Sequence, residues 1–129
     1  KTDGSWQKGV PDWPNENNGA VRPRFKRAPM IYSTTAHSKL TIDFSGTAIG
    51  AYMLAGPDSG IITCTVDGEQ TKEIDTLHHY SGFNYPMTLM FFNELSDGEH
   101  TLELEILENR RGRMKPGGTA FRALSFVGN

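Results

Sequence analysis

The feature that most constrains this chain is a period-two alternation that recurs in short runs. Leu102, Leu104 and Ile106 alternate with Thr101, Glu103 and Glu105. Leu40, Ile42 and Phe44 alternate with Thr41, Asp43 and Ser45, and Ile62, Cys64 and Val66 with Thr63 and Thr65. Successive side chains of a strand point to opposite faces, so each run is a ribbon with one apolar and one polar side. Such ribbons are stable only when their apolar sides are packed together out of water.

The residues between the runs are turn formers. Gly56-Pro57-Asp58-Ser59-Gly60 combines a proline that presets φ with glycines that reach positive φ. Asp67-Gly68 is a hairpin signal, because both turn positions need positive φ. Asp97-Gly98-Glu99-His100 turns the chain into the clearest strand. The punctuation predicts strands over residues 30–34, 39–45, 47–55, 61–66, 71–76, 86–92, 101–107 and 120–127. The third is apolar on both faces, as a central strand should be. Residues 1–29 hold Trp6, Trp13 and three prolines before Ala28. They read as a long irregular segment lying on the sandwich, with room for one short strand. Eight or nine strands and no helical periodicity predict an all-β fold. The expected form is a two-sheet antiparallel β-sandwich of jelly-roll, galactose-binding-domain-like type.

At 129 residues the chain is one domain, large enough to bury a core without disulfide help. The expected organisation is a single domain over 1–129. Its opening at Lys1, in polar sequence and without an initiator methionine, reads as a piece of a larger protein. Hydrophobic residues at 36% and charged residues at 22% are globular proportions. A net charge of −2 argues against a nucleic-acid partner or an anionic membrane surface. No apolar run approaches the roughly 20 residues that span a bilayer. The single cysteine, Cys64, allows no internal disulfide.

Catalytic chemistry finds little purchase. His78 and His79 are adjacent, and on a strand would point to opposite faces; His37 and His100 lie in a polar loop and after a turn. No histidine or cysteine spacing suits zinc. Cys64 sits mid-strand on the apolar side, where a cysteine acts as a small hydrophobe. Ser59 lacks the Gly-x-Ser-x-Gly elbow of a nucleophile. Carboxylates fall in turns (Asp58, Asp67, Asp97) or on the solvent face (Glu103, Glu105). Asp43, Asp58 or Asp75 could offer oxygens to a structural calcium, but no calcium-loop spacing is present. No cofactor and no catalytic residue are therefore expected.

The aromatic residues stand out more. Tyr80, Phe83 and Tyr85 alternate with Ser81, Gly82 and Asn84 in an expected loop at 78–86, beside His78 and His79. Rings presented by a loop can stack on the C–H faces of sugars, with neighbouring polar groups taking hydroxyls. Basic residues gather at 22–27 and 110–115, and Arg111 offers a planar fork to carboxylated or phosphorylated groups. Tyr80, Phe83, Tyr85, His78, His79 and Arg111 are the expected ligand-binding set. The bland alternative is that these rings cap the core or pack against another domain.

Several blocks together carry a resemblance. They are Phe44-Ser45-Gly46-Thr47-Ala48-Ile49-Gly50, Leu54-Ala55-Gly56-Pro57-Asp58-Ser59-Gly60, Val66-Asp67-Gly68, Tyr85-Pro86, Asp97-Gly98-Glu99-His100-Thr101-Leu102 and Phe126-Val127. From about Val21 onward the chain resembles the β-sandwich accessory domain of bacterial SGNH/GDSL-type hydrolases, the acylhydrolases or carbohydrate esterases. The shared blocks are turns and core strands, and the family's catalytic Gly-Asp-Ser and Asp-x-x-His blocks do not occur here. The resemblance implies a non-catalytic, carbohydrate-binding-like module of a secreted or periplasmic esterase. Its partners would be a polysaccharide and the catalytic domain of the same parent. The alternatives are an autonomous small sandwich enzyme acting on glycans and a purely structural or protein-interaction module.

Overall fold

The computed structural model describes residues 2–3, 6–11, 20–21, 27–76, 83–108 and 118–128, with the backbone alone at 2–3, 20–21 and 83–85. Eleven strands follow one another: β1 (Thr2–Asp3), β2 (Gln7–Gly9), β3 (Ala20–Val21), β4 (Met30–Ser33), β5 (Lys39–Ser45), β6 (Ile49–Ala55), β7 (Ile61–Val66), β8 (Gln70–Asp75), β9 (Phe83–Phe92), β10 (Glu99–Ile106) and β11 (Phe121–Gly128). No helix occurs among the described residues, and none there is long and apolar enough to cross a membrane.

The strands form two sheets, a five-stranded one in the order β1-β5-β10-β7-β8 and a six-stranded one in the order β2-β4-β11-β6-β9-β3. Pairing is antiparallel except for the short β3–β9 ladder. From β4 to β7 the chain passes from one sheet to the other at each step, so consecutive strands are stacked rather than paired. The molecule is a two-sheet β-sandwich of jelly-roll type. The eight longer strands match the sequence expectation closely. The segment before Met30 contributes three short strands where one was expected.

The alternation in sequence maps directly onto burial. Leu102, Leu104 and Ile106 point inward, as do Ile62, Cys64 and Val66 beside them, and all six are at most 1% exposed. Across the gap lie Ala51, Met53, Ala55, Phe91, Phe121 and Ala123 of the other sheet. Phe121 meets Phe91 and also the indole of Trp6, edge-on at 6.1 Å between ring centres. Trp6 thus carries the N-terminal segment into the core. The indole N–H finds no partner among the described residues. Burial pushes the Cys64 thiol up to about 11, with Lys72 acting weakly the other way.

Ile42 and Phe44 depart from expectation, being half-buried rather than buried. They face inward on β5, but β1 pairs with β5 only at Lys39 and Leu40. Beyond that point β5 is an edge among the described strands, so its inward residues lose cover on one side. At the opposite edge, β8 is almost wholly exposed and carries Lys72 and Glu73, charges that discourage edge-to-edge pairing. The Lys72 ammonium lies 5.1 Å from the centre of the Phe92 ring and closes the sandwich there.

The β7–β8 turn is as its sequence demands. Asp67 and Gly68 have φ of 55° and 68°, in the left-handed region that aspartate tolerates and glycine prefers.

Leu104→Ala is expected to destabilise the fold by about 2–5 kcal/mol in urea unfolding, from lost burial and the cavity left behind. Glu103→Ala, one residue away on the outer face, should stay within about 0.5 kcal/mol.

Candidate functional site

The described turns between the longer strands gather at the two ends of the sandwich, and each end is organised by one buried polar side chain. The first end is built on the turn after β6. Ser59 N–H donates to Gly56 O at 3.1 Å, and Gly56 N–H donates to Ser59 Oγ at 2.8 Å. Ser59 is buried, with its hydroxyl accepting within its own turn. The turn then bonds to the strand entering β11. Ala120 N–H donates to Asp58 O at 2.9 Å, Gly60 N–H to Ala120 O at 2.8 Å, and Gly118 N–H to Ser59 O at 3.3 Å. Gly118 permits this approach, since a Cβ there would stand 2.9 Å from Asp58 O.

Arg122 fastens this junction from within. It is 1% exposed, and its Nη1 and Nη2 donate to Asp58 Oδ1 and Oδ2 at 2.7 and 2.8 Å. A guanidinium matches a carboxylate in this fork-to-fork manner, which fixes orientation as well as charge. Nearby, Thr76 donates to Gly60 O through both its N–H (3.0 Å) and its hydroxyl (2.6 Å). Leu107 N–H donates to Ile61 O at 2.8 Å, and Thr119 Oγ1 donates to Thr34 O at 2.7 Å. The turn therefore holds Thr76, at the root of segment 77–82, and Gly118, at the root of segment 109–117.

Those two segments carry four of the six residues expected to bind ligand. His78, His79, Tyr80 and Arg111 themselves lie outside the described residues. Phe83 and Tyr85 are described by backbone only, and here the expected loop is corrected. Strand β9 begins at Phe83, so the chain is already extended and hydrogen-bonded at both positions. Phe83 is paired with Ala20 and Tyr85 with Ala55. The ladder to β6 carries β9 one residue past Pro86, to Tyr85, and the short parallel pairing with β3 carries it on to Phe83. A proline on this strand marked a boundary in sequence that the pairing overrides.

The second end is organised by His100, one of the residues sequence reasoning set aside. Its imidazole is 7% exposed as a side chain. Nδ1 faces Asp67 Oδ2 at 2.5 Å, and Nε2 faces the carbonyl of Ser96 at 2.6 Å. The ring lies against Phe44, 5.4 Å between centres. Asp67 Oδ1 accepts from Thr101 N–H at 2.8 Å, and Thr101 Oγ1 donates to Asp43 Oδ1 at 2.9 Å. The hydrogen bond to Asp67, then that to Ser96, holds the imidazole above its ordinary value of 6.5. The His100 bond, then the Thr101 N–H, holds the Asp67 carboxyl below its ordinary 3.8. An open depression of about 390 Å³ lies over this cluster, lined by Asp43, Ser45, Asp67, Glu99 and Thr101.

The remaining candidates have structural partners or neighbours. His37 stands between Glu105 (3.7 Å) and Glu108 (3.3 Å) on the surface. Of the residues weighed for calcium, Asp58 is engaged by Arg122 and Asp43 by Thr101. Among the described residues no group of three or more histidine, cysteine or acidic side chains is arranged to hold a metal. Arg122 was missed because an arginine in an alternating strand reads as an outward residue. Its one sequence signal was position, between the apolar neighbours Phe121 and Ala123.

No family model matches the chain, and no curated protein matches it in sequence. Solved structures do share its fold. A two-domain esterase (CEX) active on acetylated mannans aligns with a TM-score of 0.58 at 15% identity, over 76% of this chain and 26% of its own. A family two carbohydrate esterase from Clostridium thermocellum, in complex with cellohexaose, aligns at 0.54 and 15% identity, over 78% of this chain and 27% of its own. A family two carbohydrate esterase from Cellvibrio japonicus aligns at 0.54 and 14% identity, over 94% and 30%. This chain thus spans less than a third of the length of these structures.

Asp58→Ala should destabilise the domain by on the order of 3 kcal/mol in urea unfolding, because it removes the counter-charge of a buried guanidinium. Glu108→Ala, at an exposed contact with His37, should cost less than about 1 kcal/mol by the same measurement.

Proposed function

We propose that this chain is a non-catalytic, carbohydrate-binding-like sandwich belonging to a larger secreted or periplasmic esterase of SGNH/GDSL type. In that protein it holds polysaccharide near the catalytic domain or packs against that domain and completes its cleft. The observation that carries this reading is the fold likeness to a minor part of esterases that act on acetylated mannans or were solved with a glucan oligosaccharide. The chemistry of the described residues supports it. The Ser59 hydroxyl is buried within its turn, and both His100 nitrogens are engaged by acceptors of the fold. Neither is arranged as a nucleophile and its base.

The proposed contact surface is the end built on the Asp58 turn. The roots of segments 77–82 and 109–117 are joined there through Thr76, Gly60, Ser59 and Gly118. Tyr80, Phe83, Tyr85, His78, His79 and Arg111 supply rings for stacking and polar groups for hydroxyls or carboxylates. A free module of this kind binds weakly, in the millimolar range, and gains effective concentration by tethering.

Titration of the isotope-labelled chain with mannopentaose, cellohexaose and acetylated mannan is the test. Shifts are expected at Thr76, Gly118 and the 78–85 segment, with Tyr80→Ala or Tyr85→Ala weakening binding roughly fivefold. Absence of shifts with every glycan would remove the binding role and leave domain packing. Release of acetate by the chain alone, abolished in Ser59→Ala, would overturn the accessory reading.

A further inference from the structure

The His100 cluster lies at the end of the sandwich opposite the proposed contact surface, and its chemistry stands independently of that proposal. The ring has two nitrogens and two acceptors. A backbone carbonyl can only accept, so Nε2 must donate to Ser96 O. An ionised carboxylate can only accept, so Nδ1 must donate to Asp67 Oδ2. A neutral imidazole carries a single N–H and satisfies one of these partners; the imidazolium satisfies both. At 7% side-chain exposure, water has little access to replace the missing bond.

The surroundings point the same way. Asp67 faces the ring from the β7–β8 turn, and Asp97 lies close in the β9–β10 connection. Asp43, on the edge strand β5, and Glu99, on β10, line the depression above it. Phe44, also on β5, covers one face of the ring. Asp67 and Asp97 thus act directly on the imidazole, Asp43 and Glu99 lie on the outer face of the sheet beside it, and no lysine or arginine is among the described residues lining the depression. The ring joins parts of the chain far apart in sequence. Through Nε2 it grips the connection at Ser96, through Nδ1 the hairpin tip at Asp67, and it stacks on Phe44.

We propose that the His100 imidazolium is a proton-operated latch that ties the β9–β10 connection to the β7–β8 hairpin. The latched window follows from the two groups. His100 is held above its ordinary value, so its contribution is full below pH 6.5 and is lost as pH rises through the raised value. Asp67 is held below its ordinary value, so its contribution is full above pH 3.8 and is lost as pH falls through the lowered one. The latch is closed between these two limits and opens as pH rises through the raised histidine value. The Asp67 N–H bond to Thr101 O, at 2.8 Å, keeps the hairpin base attached when it does. Release is therefore local, at the loop tips.

The test is an NMR titration of the full chain from pH 5 to 9.5. Ring nitrogen shifts should show His100 losing its second proton only above its ordinary 6.5. Protection of the Thr101 and Leu95 amides, corrected for intrinsic exchange, should hold through the window. It should then fall by about tenfold as His100 loses its proton, the factor for one charge-assisted hydrogen bond. Asp67→Asn keeps a residue suited to the left-handed backbone and an acceptor for the Thr101 N–H. It should lower the His100 titration point, since the Asp67 carboxylate is the largest cause of its rise. A His100 that is neutral at pH 6.5 would overturn the proposal, as would amide protection indifferent to its titration. If Asp67→Asn fails to fold, the unaltered chain's titration decides alone.

Discussion

The packing of two apolar sheet faces against each other is the constraint from which the rest of the molecule follows. Cys64, Leu104 and Ile106 on one sheet, with Met53, Phe91 and Phe121 on the other, fill the space between with almost no exposure. Once the inward faces are occupied, the chain can vary only on its outer faces and at its two ends. The outer face around β10 is a field of threonines and carboxylates. Chemistry beyond hydration is left to the ends, where backbone groups without strand partners need other hydrogen bonds.

The two ends meet that need differently. At one, a buried arginine and a partly exposed aspartate clamp a turn to the strand across from it, and the neighbouring bonds are mostly between backbone groups. That arrangement does not change with pH over the ordinary range, because an arginine does not lose its proton there. At the other, the organising cation is a histidine, whose charge is conditional. The same architectural task is thus performed by a permanent ion at one pole and by a switchable one at the other.

Much of this was legible from residues. Alternation located β5, β7 and β10 and their inward sets, and Asp67-Gly68 located the hairpin with its left-handed turn. What escaped had physical causes. Ile42 and Phe44 read as core because periodicity reports which way a side chain points and nothing about whether a neighbouring strand covers it. Phe83 and Tyr85 read as loop because glycine and proline bracket them, while pairing with β6 at Tyr85 and with β3 at Phe83 extends the strand across that boundary. Arg122 and His100 gave no local sign of burial because it depends on Asp58 and Asp67, 64 and 33 residues away along the chain. Polar residues that are buried only by virtue of a distant partner leave no local pattern.

The lone cysteine has a use that follows from its position. Cys64 sits in the central layer with no exposed surface, and its thiol is held at about 11, so the reactive thiolate is scarce in the folded state near neutrality. β7 is flanked by β10 and β8 in its sheet, and a reagent reaches the sulfur only when those strands part. Its rate of modification therefore counts openings that reach the inner space around β7, the edge strand β8 among them, and not motions confined to the ends of the sandwich. The molecule carries a native probe of such openings, readable without introducing a label, against which local events at the loops can be timed.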